Sequence, residues 1–259
     1  VLFRSRRLAP LVSASPSSSG PMDQSIAYNL ARVRQAMTDA AGRVGRPPSS
    51  VQLIAVSKTF PAGAVAAAAA CGHVDFGENK VQEAQAKQEA LLRETPSGPR
   101  LRWHLIGHLQ SNKARKAVAL FDVIHSIDSV DLLRRVDQAA AALGRDVDVL
   151  IQVDMAGEAT KHGAPVAEVP AIIDAAFGCH AAHLVGLMVL PPASDDPAAL
   201  RASFAALRRF RDDLLARDYP PPMLRQLSMG MSHDFPYAIE EGATMVRVGS
   251  AIFGTRQAR

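Results

Sequence analysis

A lysine follows a short apolar segment in LIAVSKTFP, residues 53–61. The five residues before Lys58 are apolar or small, as in a buried strand. Burying a lysine charge without a partner is costly, so Lys58 is expected where the strand reaches the edge of the core. An amine partly removed from water has a lowered pKa, and its neutral form attacks aldehydes. Lys58 is therefore a candidate nucleophile; a solvated lysine at a strand end is the alternative.

Serines and glycines near the C-terminus form a second candidate group, in LSMGMS and VRVGSAIFG. The first segment contains Ser228 and Gly230, and the second contains Gly249 and Ser250. Glycines let backbone N–H groups approach an anion, serine hydroxyls add donors, and a final helix predicted from Ala251 adds partial positive charge. The pattern predicts a phosphate site. For either segment alone, a tight turn between a strand and a helix is the alternative.

An amine nucleophile and a phosphate site together indicate a ligand that carries both a carbonyl group and a phosphate. Pyridoxal 5′-phosphate (PLP) meets that description, and so does the substrate of a sugar-phosphate aldolase. Both ligands require that the lysine and the phosphate site face one cavity, which depends on the fold.

Short apolar segments alternate with segments of helical periodicity from residue 24 onward. The predicted helices cover 24–45, 61–71, 80–94, 112–120, 129–143, 165–177, 197–217 and 234–242. The predicted strands are VQLIAVS, HVDFG, LRWHLIG, FDVIHSI, DVDVLIQVD, AHLVGLMVL, MLRQLSMG and TMVRVGS. Eight nearly all-apolar strands separated by helices predict a single α/β domain, a (β/α)8 TIM barrel with an extra N-terminal helix. A doubly wound open sheet is the alternative, although SKTFPAG lacks a G-x-G-x-x-G turn.

The barrel prediction places both candidate groups at one mouth. Active sites of such barrels lie at the C-terminal ends of the strands, and phosphate sites are usual after strands seven and eight. Lys58 follows the first predicted strand, and the serines and glycines follow the last two. The lysine and the phosphate site are therefore expected to share a cavity.

Several other side chains near strand ends carry chemistry of their own. Asn79 is either a hydrogen-bonding partner of a cofactor ring or the N-cap of the helix beginning at Lys80. His104 and His108 are four residues apart, but a strand does not bring that spacing to one face, so no metal site is expected. Lys161 follows the fifth strand at the same mouth, either as a second acceptor of the aldehyde or as an exposed loop lysine.

The first 21 residues have a composition unlike the rest of the chain. The formal net charge is +4, and Arg4, Arg6 and Arg7 supply three of these charges without any acid in that segment. We predict a disordered tail over 1–21, either a transit-like segment or residues that are not native, followed by one domain over 22–259. Because the domain is nearly neutral, no nucleic-acid partner is expected.

The remaining composition indicates a soluble protein of a reducing compartment. The two cysteines, Cys71 and Cys179, are too few for a disulfide framework, which favours the cytoplasm. Their simplest interpretation is as small core residues. No apolar stretch reaches the roughly 18 residues that a membrane span needs. Neither a membrane nor a bound metal is therefore expected.

Six sequence blocks resemble the pyridoxal phosphate homeostasis proteins. They are LIAVSKTFPA, DFGENKVQEAQAK, WHLIGHLQSNKAR, TKHG, GLMVLPP and LSMGMSHDFPYAIEEGATMVRVGSAIFGTR, and they extend from about residue 24 to Arg256. Members of that family are single-domain, fold-type III PLP-binding barrels similar to the N-terminal domain of bacterial alanine racemase. They are generally regarded as binding PLP without enzymatic activity. The resemblance therefore implies both the barrel and the cofactor.

The resemblance also implies roles for individual residues. Lys58 would hold the cofactor as an aldimine, and Arg247 would approach the pyridine nitrogen. Four residues would hold the phosphate, namely Ser228, Gly230, Gly249 and Ser250. Two positions depart from the family pattern: Lys80 stands where many relatives have Tyr, and His233 stands where many have Asp. These departures affect the charge expected at the mouth.

Three functional classes remain open on these residues. A cofactor carrier active in PLP homeostasis needs only the aldimine lysine and the phosphate site, and it would have apo PLP-dependent enzymes as partners. A racemase or lyase needs a second acid/base, which in alanine racemases comes from another domain, and only nine residues follow Ser250. Schiff-base aldolases usually carry their lysine on a later barrel strand. We therefore expect a PLP carrier, a monomer or weak dimer, without catalytic turnover.

Overall fold

Eight parallel strands form a closed barrel in the computed structural model, which describes residues 21–157 and 162–255. The barrel strands are β1 Gln52–Val56, β2 Asp75–Glu78, β3 Arg102–Leu105, β4 Val123–Ile127, β5 Val147–Asp154, β7 Ala182–Met188, β8 Gln226–Ser228 and β9 Met245–Val248. A two-residue strand, β6 Ala164–Pro165, pairs with the end of β5. The eight predicted strands and the predicted barrel are thus confirmed.

Barrel strands that follow each other along the chain are hydrogen-bonded neighbours, and β1 pairs with β9. The order is β4-β3-β2-β1-β9-β8-β7-β5, and an additional pairing of β4 with β5 closes the circle. β1 lies between β2 and β9, in register Ala55 to Phe76 and Ile54 to Arg247. The ends of the first, eighth and ninth strands are therefore neighbours, as the shared cavity requires.

Helices cover the outside of the barrel and follow the predicted pattern closely. They are α1 Pro21–Arg43, α2 Ala62–Ala70, α3 Val81–Glu94, α4 Ala114–Leu120, α5 Val130–Leu143, α6 Val169–Ala176, α7 Pro197–Leu215, α8 Phe235–Glu240 and α9 Ser250–Phe253. The final helix, predicted from Ala251, is only one turn long. In the described ranges, no helix has the length and apolar character to cross a membrane.

The extra N-terminal helix α1 packs onto the barrel through one apolar face. Ile26, Leu30, Val33 and Met37 recur at helical spacing and are all buried. The amide of Asn29 donates to the carbonyl of Ile252 at 3.0 Å, which ties α1 to α9. The helix thus supports the segment that follows the last strand. Residues 1–20, most of the predicted tail, lie outside the described part of the chain, as does Lys161.

Strand alternation divides the core into two layers. Side chains that point outward from the strands join those of the helices in one large apolar cluster. Side chains that point inward form a separate apolar cluster of Ile54, Val123, Leu150, Val185, Met188 and Met245. Polar side chains also lie in the interior, where His104 and His125 are fully buried. The barrel interior is therefore apolar in one part and hydrogen-bonded in another.

Candidate functional site

A cavity of about 550 Å³ opens at the C-terminal ends of the barrel strands. Its walls carry five of the seven predicted site residues, which are Lys58, Asn79, Arg247, Gly249 and Ser250. The loops after β1, β2 and β9 thus bring residues from distant parts of the sequence to one space, as a barrel mouth does. That volume lies within the range of about 300–1,000 Å³ that is usual for small-molecule sites.

Lys58 lies in the turn that follows β1 and is half-buried. The N–H of Phe60 donates to the carbonyl of Ser57 at 3.0 Å and closes this turn. Thr59 has a φ of +70°, an uncommon conformation for a β-branched residue, and its N–H donates to the Glu83 carboxylate. Strained backbone of this kind persists where surrounding contacts hold it and clusters at functional sites. The structure therefore fixes the backbone on both sides of Lys58.

A buried charge cluster behind this turn supplies those contacts. The ammonium of Lys87 donates to the carbonyl of Ser57 at 2.6 Å, to Glu78 at 2.6 Å and to Glu83 at 2.8 Å. The hydroxyl of Ser57 donates to the same Glu78 oxygen at 2.6 Å. Burial raises the pKa of Glu78, while hydrogen bonds from Lys87 and Ser57 oppose that change. The cluster ties the end of β1 to the start of α3.

A serine that sequence reasoning passed over completes the opposite wall. Ser232 lines the cavity beside Gly249 and Ser250. Its hydroxyl oxygen accepts from the N–H of Gly249 at 3.0 Å and from the N–H of Ala251 at 3.4 Å. A Cβ on Gly249 would lie 3.1 Å from the carbonyl oxygen of Val56, so a larger residue would press on β1. Because the Ser232 oxygen accepts from these N–H groups, its hydroxyl proton remains available as a donor, and Ser250 lines the same wall.

Two residues predicted for the phosphate site, Ser228 and Gly230, lie outside the group that lines the cavity. Ser228 is fully buried in the barrel interior, where its hydroxyl contacts His125 and Arg247. Gly230 has a φ of +93°, and a Cβ there would lie 2.6 Å from the Cβ of Ala238. The glycine therefore serves a tight turn against α8. Neither residue is among those that form the cavity wall.

Arg247 is the buried cation of the cavity. Its Nη1 donates to the hydroxyl of Ser228 at 2.7 Å and its Nη2 to the carbonyl of Val189 at 2.9 Å. Burial lowers the pKa of Arg247 to about 10, partly offset by the charge of Asp234. The guanidinium is therefore still protonated at neutral pH, and it presents a fixed positive charge to the cavity.

Asn79 lies on the cavity wall rather than capping a helix. The N-cap residue of α3 is Lys80, and no side chain caps that helix end. A Cβ on Gly107 would lie 2.3 Å from the carbonyl oxygen of Asn79, so the two loops touch through their backbones. Of the two interpretations left open by the sequence, the N-cap role of Asn79 does not hold in the structure.

Histidines and a glutamine border the remaining part of the cavity. The rings of His108 and His162 are stacked, with centroids 3.7 Å apart and planes at 8°. The amide of Gln152 donates to the carbonyl of His162 at 2.5 Å and holds that loop against β5. His104 lies away from this wall, fully buried in the barrel interior. Across residues 21–157 and 162–255, no three His, Cys, Asp or Glu side chains form a metal-binding group.

Comparison with known proteins identifies the family. Residues 24–257 match the family described as alanine racemase, N-terminal domain. The pyridoxal phosphate homeostasis protein of Pseudomonas aeruginosa is 43% identical over 231 residues, which cover 89% of this chain and 96% of that protein. The chain belongs to the pyridoxal phosphate homeostasis family. The protein of the same name from Escherichia coli K12 is 38% identical over 89% of this chain and 97% of its own length.

Solved structures agree with membership of the pyridoxal phosphate homeostasis family. PipY of Synechococcus elongatus is 44% identical, and the alignment covers 88% of this chain and all of PipY. The TM-score is 0.78 for PipY without PLP and 0.74 for PipY with PLP bound. An alanine racemase of Clostridium difficile has a TM-score of 0.65 at 16% identity, a likeness of fold alone.

Proposed function

We propose that the cavity binds PLP covalently through Lys58, and that the protein holds this cofactor for PLP homeostasis rather than turning over a substrate. One observation carries the proposal: Lys58, Arg247 and the group of Ser232, Gly249 and Ser250 line the same cavity of about 550 Å³. PipY, a relative of 44% identity, has been solved with PLP bound. The residues that line the cavity and the PLP bound to PipY both support PLP as the ligand.

The donors on the cavity wall fit the chemical groups of PLP one by one. A lysine amine suits an aldehyde, and serine hydroxyls beside a glycine that allows close approach suit a phosphate dianion. The Arg247 guanidinium donates hydrogen bonds and does not accept them, so it suits an unprotonated ring nitrogen. We assign the phosphate to Ser232, Gly249 and Ser250, which replaces the assignment to Ser228 and Gly230.

When bound, the cofactor supplies an aldehyde carbon to which a lysine amine bonds with loss of water. The chain's own residues prepare that reaction. The Lys87 cluster holds the turn that carries Lys58, and Asn79 lies on the same wall. Arg247 stays protonated at neutral pH and would donate to the ring nitrogen without protonating it, which would weaken the pyridine ring as an electron sink.

We propose a carrier, acting in the cytoplasm on apo PLP-dependent enzymes, in preference to a racemase or lyase. The curated relatives at 38–43% identity are named for PLP homeostasis rather than for a reaction. Incubation of the PLP-loaded protein with L-alanine, L-serine or L-lysine should give no turnover above free PLP. Turnover far above that background and absent in Lys58→Ala would establish an enzyme instead.

Paired ligands test the phosphate assignment. Ser232→Ala and Ser250→Ala each remove one hydroxyl, and each should weaken PLP binding by about 1–3 kcal/mol, the contribution of a hydrogen bond to a charged group. Pyridoxal lacks the phosphate, so its affinity should stay nearly constant. The control is Ser203→Ala, since the exposed Ser203 hydroxyl donates within α7, to the Ala199 carbonyl at 3.1 Å.

Equilibrium titrations followed by absorbance would measure both affinities. Equal losses for PLP and pyridoxal would show that the two serines shape the loop without contacting a phosphate. Wild-type protein that fails to bind PLP at all would refute the proposed function itself.

A further inference from the structure

A line of polar side chains crosses the barrel interior from the beginning of β2 to the ends of β8 and β9. Asp75 is the first residue of β2, and Ser228 is the last residue of β8. Between them, His104 of β3 and His125 of β4 are both fully buried. At the far end, Arg247 reaches the cavity wall and is only 3% exposed. The PLP-binding residues described above do not explain why two histidines are buried here.

Each neighbouring pair in this line is within hydrogen-bond distance. His104 Nε2 lies 3.1 Å from Asp75 Oδ1, and His104 Nδ1 lies 3.0 Å from His125 Nε2. His125 Nδ1 lies 2.9 Å from Ser228 Oγ, which accepts from Arg247 Nη1 at 2.7 Å. Asp75 also accepts from the amide of Gln52 at 2.7 Å, which anchors the carboxylate.

The two ends of the line determine where every proton lies. An ionised Asp75 only accepts, so His104 donates from Nε2, and burial keeps His104 neutral by lowering its pKa. His104 therefore accepts at Nδ1 from Nε2–H of His125. Burial also holds the pKa of His125 well below its ordinary value, so its Nδ1 accepts from the Ser228 hydroxyl. Ser228 in turn accepts from Arg247, and all four hydrogen bonds run in one direction.

We propose that Asp75, His104, His125 and Ser228 form a one-way hydrogen-bond relay that fixes the Arg247 guanidinium as the donor to the ring nitrogen of the ligand. This assignment deepens the proposed PLP function and rests on it. The relay has a cation at its donor end and an anion at its acceptor end, an arrangement in which successive hydrogen bonds strengthen one another. The four residues are positioning residues, because they act on the ligand through Arg247.

The relay also explains the location of Ser228. Its hydroxyl proton is committed to His125 and its oxygen accepts from Arg247, so the side chain has no donor left for a phosphate. With Nη1 on Ser228 and Nη2 on the carbonyl of Val189, the guanidinium is held at two points. Its remaining N–H groups are available at the cavity wall, to which Arg247 contributes.

The proton positions can be tested in the protein without cofactor. Long-range ¹H–¹⁵N correlation spectra at pH 7.5 report histidine tautomers, and His104→Asn and His125→Asn assign the two signals by their loss. The relay predicts that both rings are neutral with the proton on Nε2. A proton on Nδ1 of either ring, or an imidazolium, would overturn the proposed relay. The tautomers are read in the wild-type protein without PLP, and the two variants serve only to assign the signals.

A pair of ligands tests the consequence for binding. The first is PLP, and the second is its carbocyclic analogue, in which CH replaces the ring nitrogen while the aldehyde and phosphate remain. Ser228→Ala removes the acceptor of Arg247 Nη1, so PLP affinity should fall about tenfold, as for one hydrogen bond to a charged group. Affinity for the analogue should change less than twofold.

Ser126→Ala is the matched control. Ser126 is the neighbour of His125 on β4, is also buried, and its hydroxyl has no hydrogen-bond partner within the described residues. This change should leave both affinities unaltered. An equal loss for PLP and the analogue in Ser228→Ala would contradict the positioning role. If neither ligand binds wild-type protein, the PLP assignment fails, while the tautomer spectra still decide whether the relay exists.

Discussion

Lys87→Met is expected to be among the most damaging single substitutions in the chain, although Lys87 lies outside the cavity wall. Glu78 is fully buried and Lys87 is 7% exposed in its side chain, so the methionine fills the space but leaves a buried carboxylate without its cation. The substitution also removes the donor to the Ser57 carbonyl, which immediately precedes Lys58. Both the stability and the geometry of the nucleophile's turn should suffer.

The size of the effect follows from the burial of this ion pair. Removing one partner of a buried pair costs about 3–5 kcal/mol in free energy of unfolding. For a domain of this size, that corresponds to a fall of about 6–20 °C in melting temperature. The loss should depend on pH, because Glu78 has a raised pKa and can take up a proton instead. A carboxyl whose pKa is raised in the folded protein destabilises the fold increasingly as the pH rises above the pKa of that carboxyl in the unfolded chain. The stability lost in Lys87→Met should therefore be smaller at pH 5 than at pH 8.

Urea denaturation of the cofactor-free protein at both pH values measures these losses. Lys116→Met is the control, since Lys116 is an exposed lysine on α4 and its change should stay within about 0.5 kcal/mol. Glu78→Gln combined with Lys87→Met removes the uncompensated charge and should recover part of the loss. If Lys87→Met behaves like Lys116→Met, or loses the same at pH 5 and pH 8, the buried-pair argument is refuted.

Two further predictions concern buried histidines and a close backbone contact. Because burial lowers the pKa of His104 and His125, the unfolded chain binds protons that the folded protein does not. The free energy of unfolding should therefore fall between pH 7.5 and 5.5, by at most about 1.4 kcal/mol per histidine, and the fall should be smaller in His125→Phe; an unchanged pH profile in the wild-type protein would contradict this. Gly107→Ala places a Cβ 2.3 Å from the Asn79 carbonyl oxygen and should cost more than 1 kcal/mol in urea and weaken PLP binding. Gly42→Ala on α1, with nothing within 4 Å, should stabilise by about 0.5–1 kcal/mol, and similar results for both would refute the steric reasoning.

The barrel and the position of Lys58 could be predicted because their signals are local. Each strand is a short apolar run between helical segments, and Lys58 directly follows the first run. The turns after β9 were equally accessible, because Gly249 and Ser250 combine small size with donors at a strand end. Each of these patterns lies within one short segment of the chain, so it can be recognised without knowing which distant residues the segment contacts.

The choice between two serines of LSMGMS required the structure. Ser228 ends β8 and points into the barrel, whereas Ser232 lies beyond the turn and lines the cavity. Strand alternation contained a signal: Leu227 packs outward under the helices, so Ser228 must point inward. That inference depends on knowing where the strand ends, which sequence patterns give only to within a few residues.

Long-range polar contacts were beyond sequence reasoning altogether. His125 and Ser228 are 103 residues apart, and Lys87 reaches the Ser57 carbonyl over a separation of 30 residues. Lys87 looks like an ordinary surface lysine in a helix with charged neighbours. Only the closed barrel brings β4 opposite β8 and places α3 over the end of β1, so these partners have no local signature.

Reduction of the PLP-loaded protein with borohydride, followed by peptide mass spectrometry, tests the central claim most directly. Borohydride converts a lysine–aldehyde linkage into a stable secondary amine, which marks the residue that held the cofactor. The geometry of the cavity predicts one pyridoxyl adduct, located on Lys58, and no adduct in Lys58→Ala. An adduct on a different lysine, or none in protein saturated with PLP, would contradict the assignment of Lys58 as the cofactor-binding nucleophile.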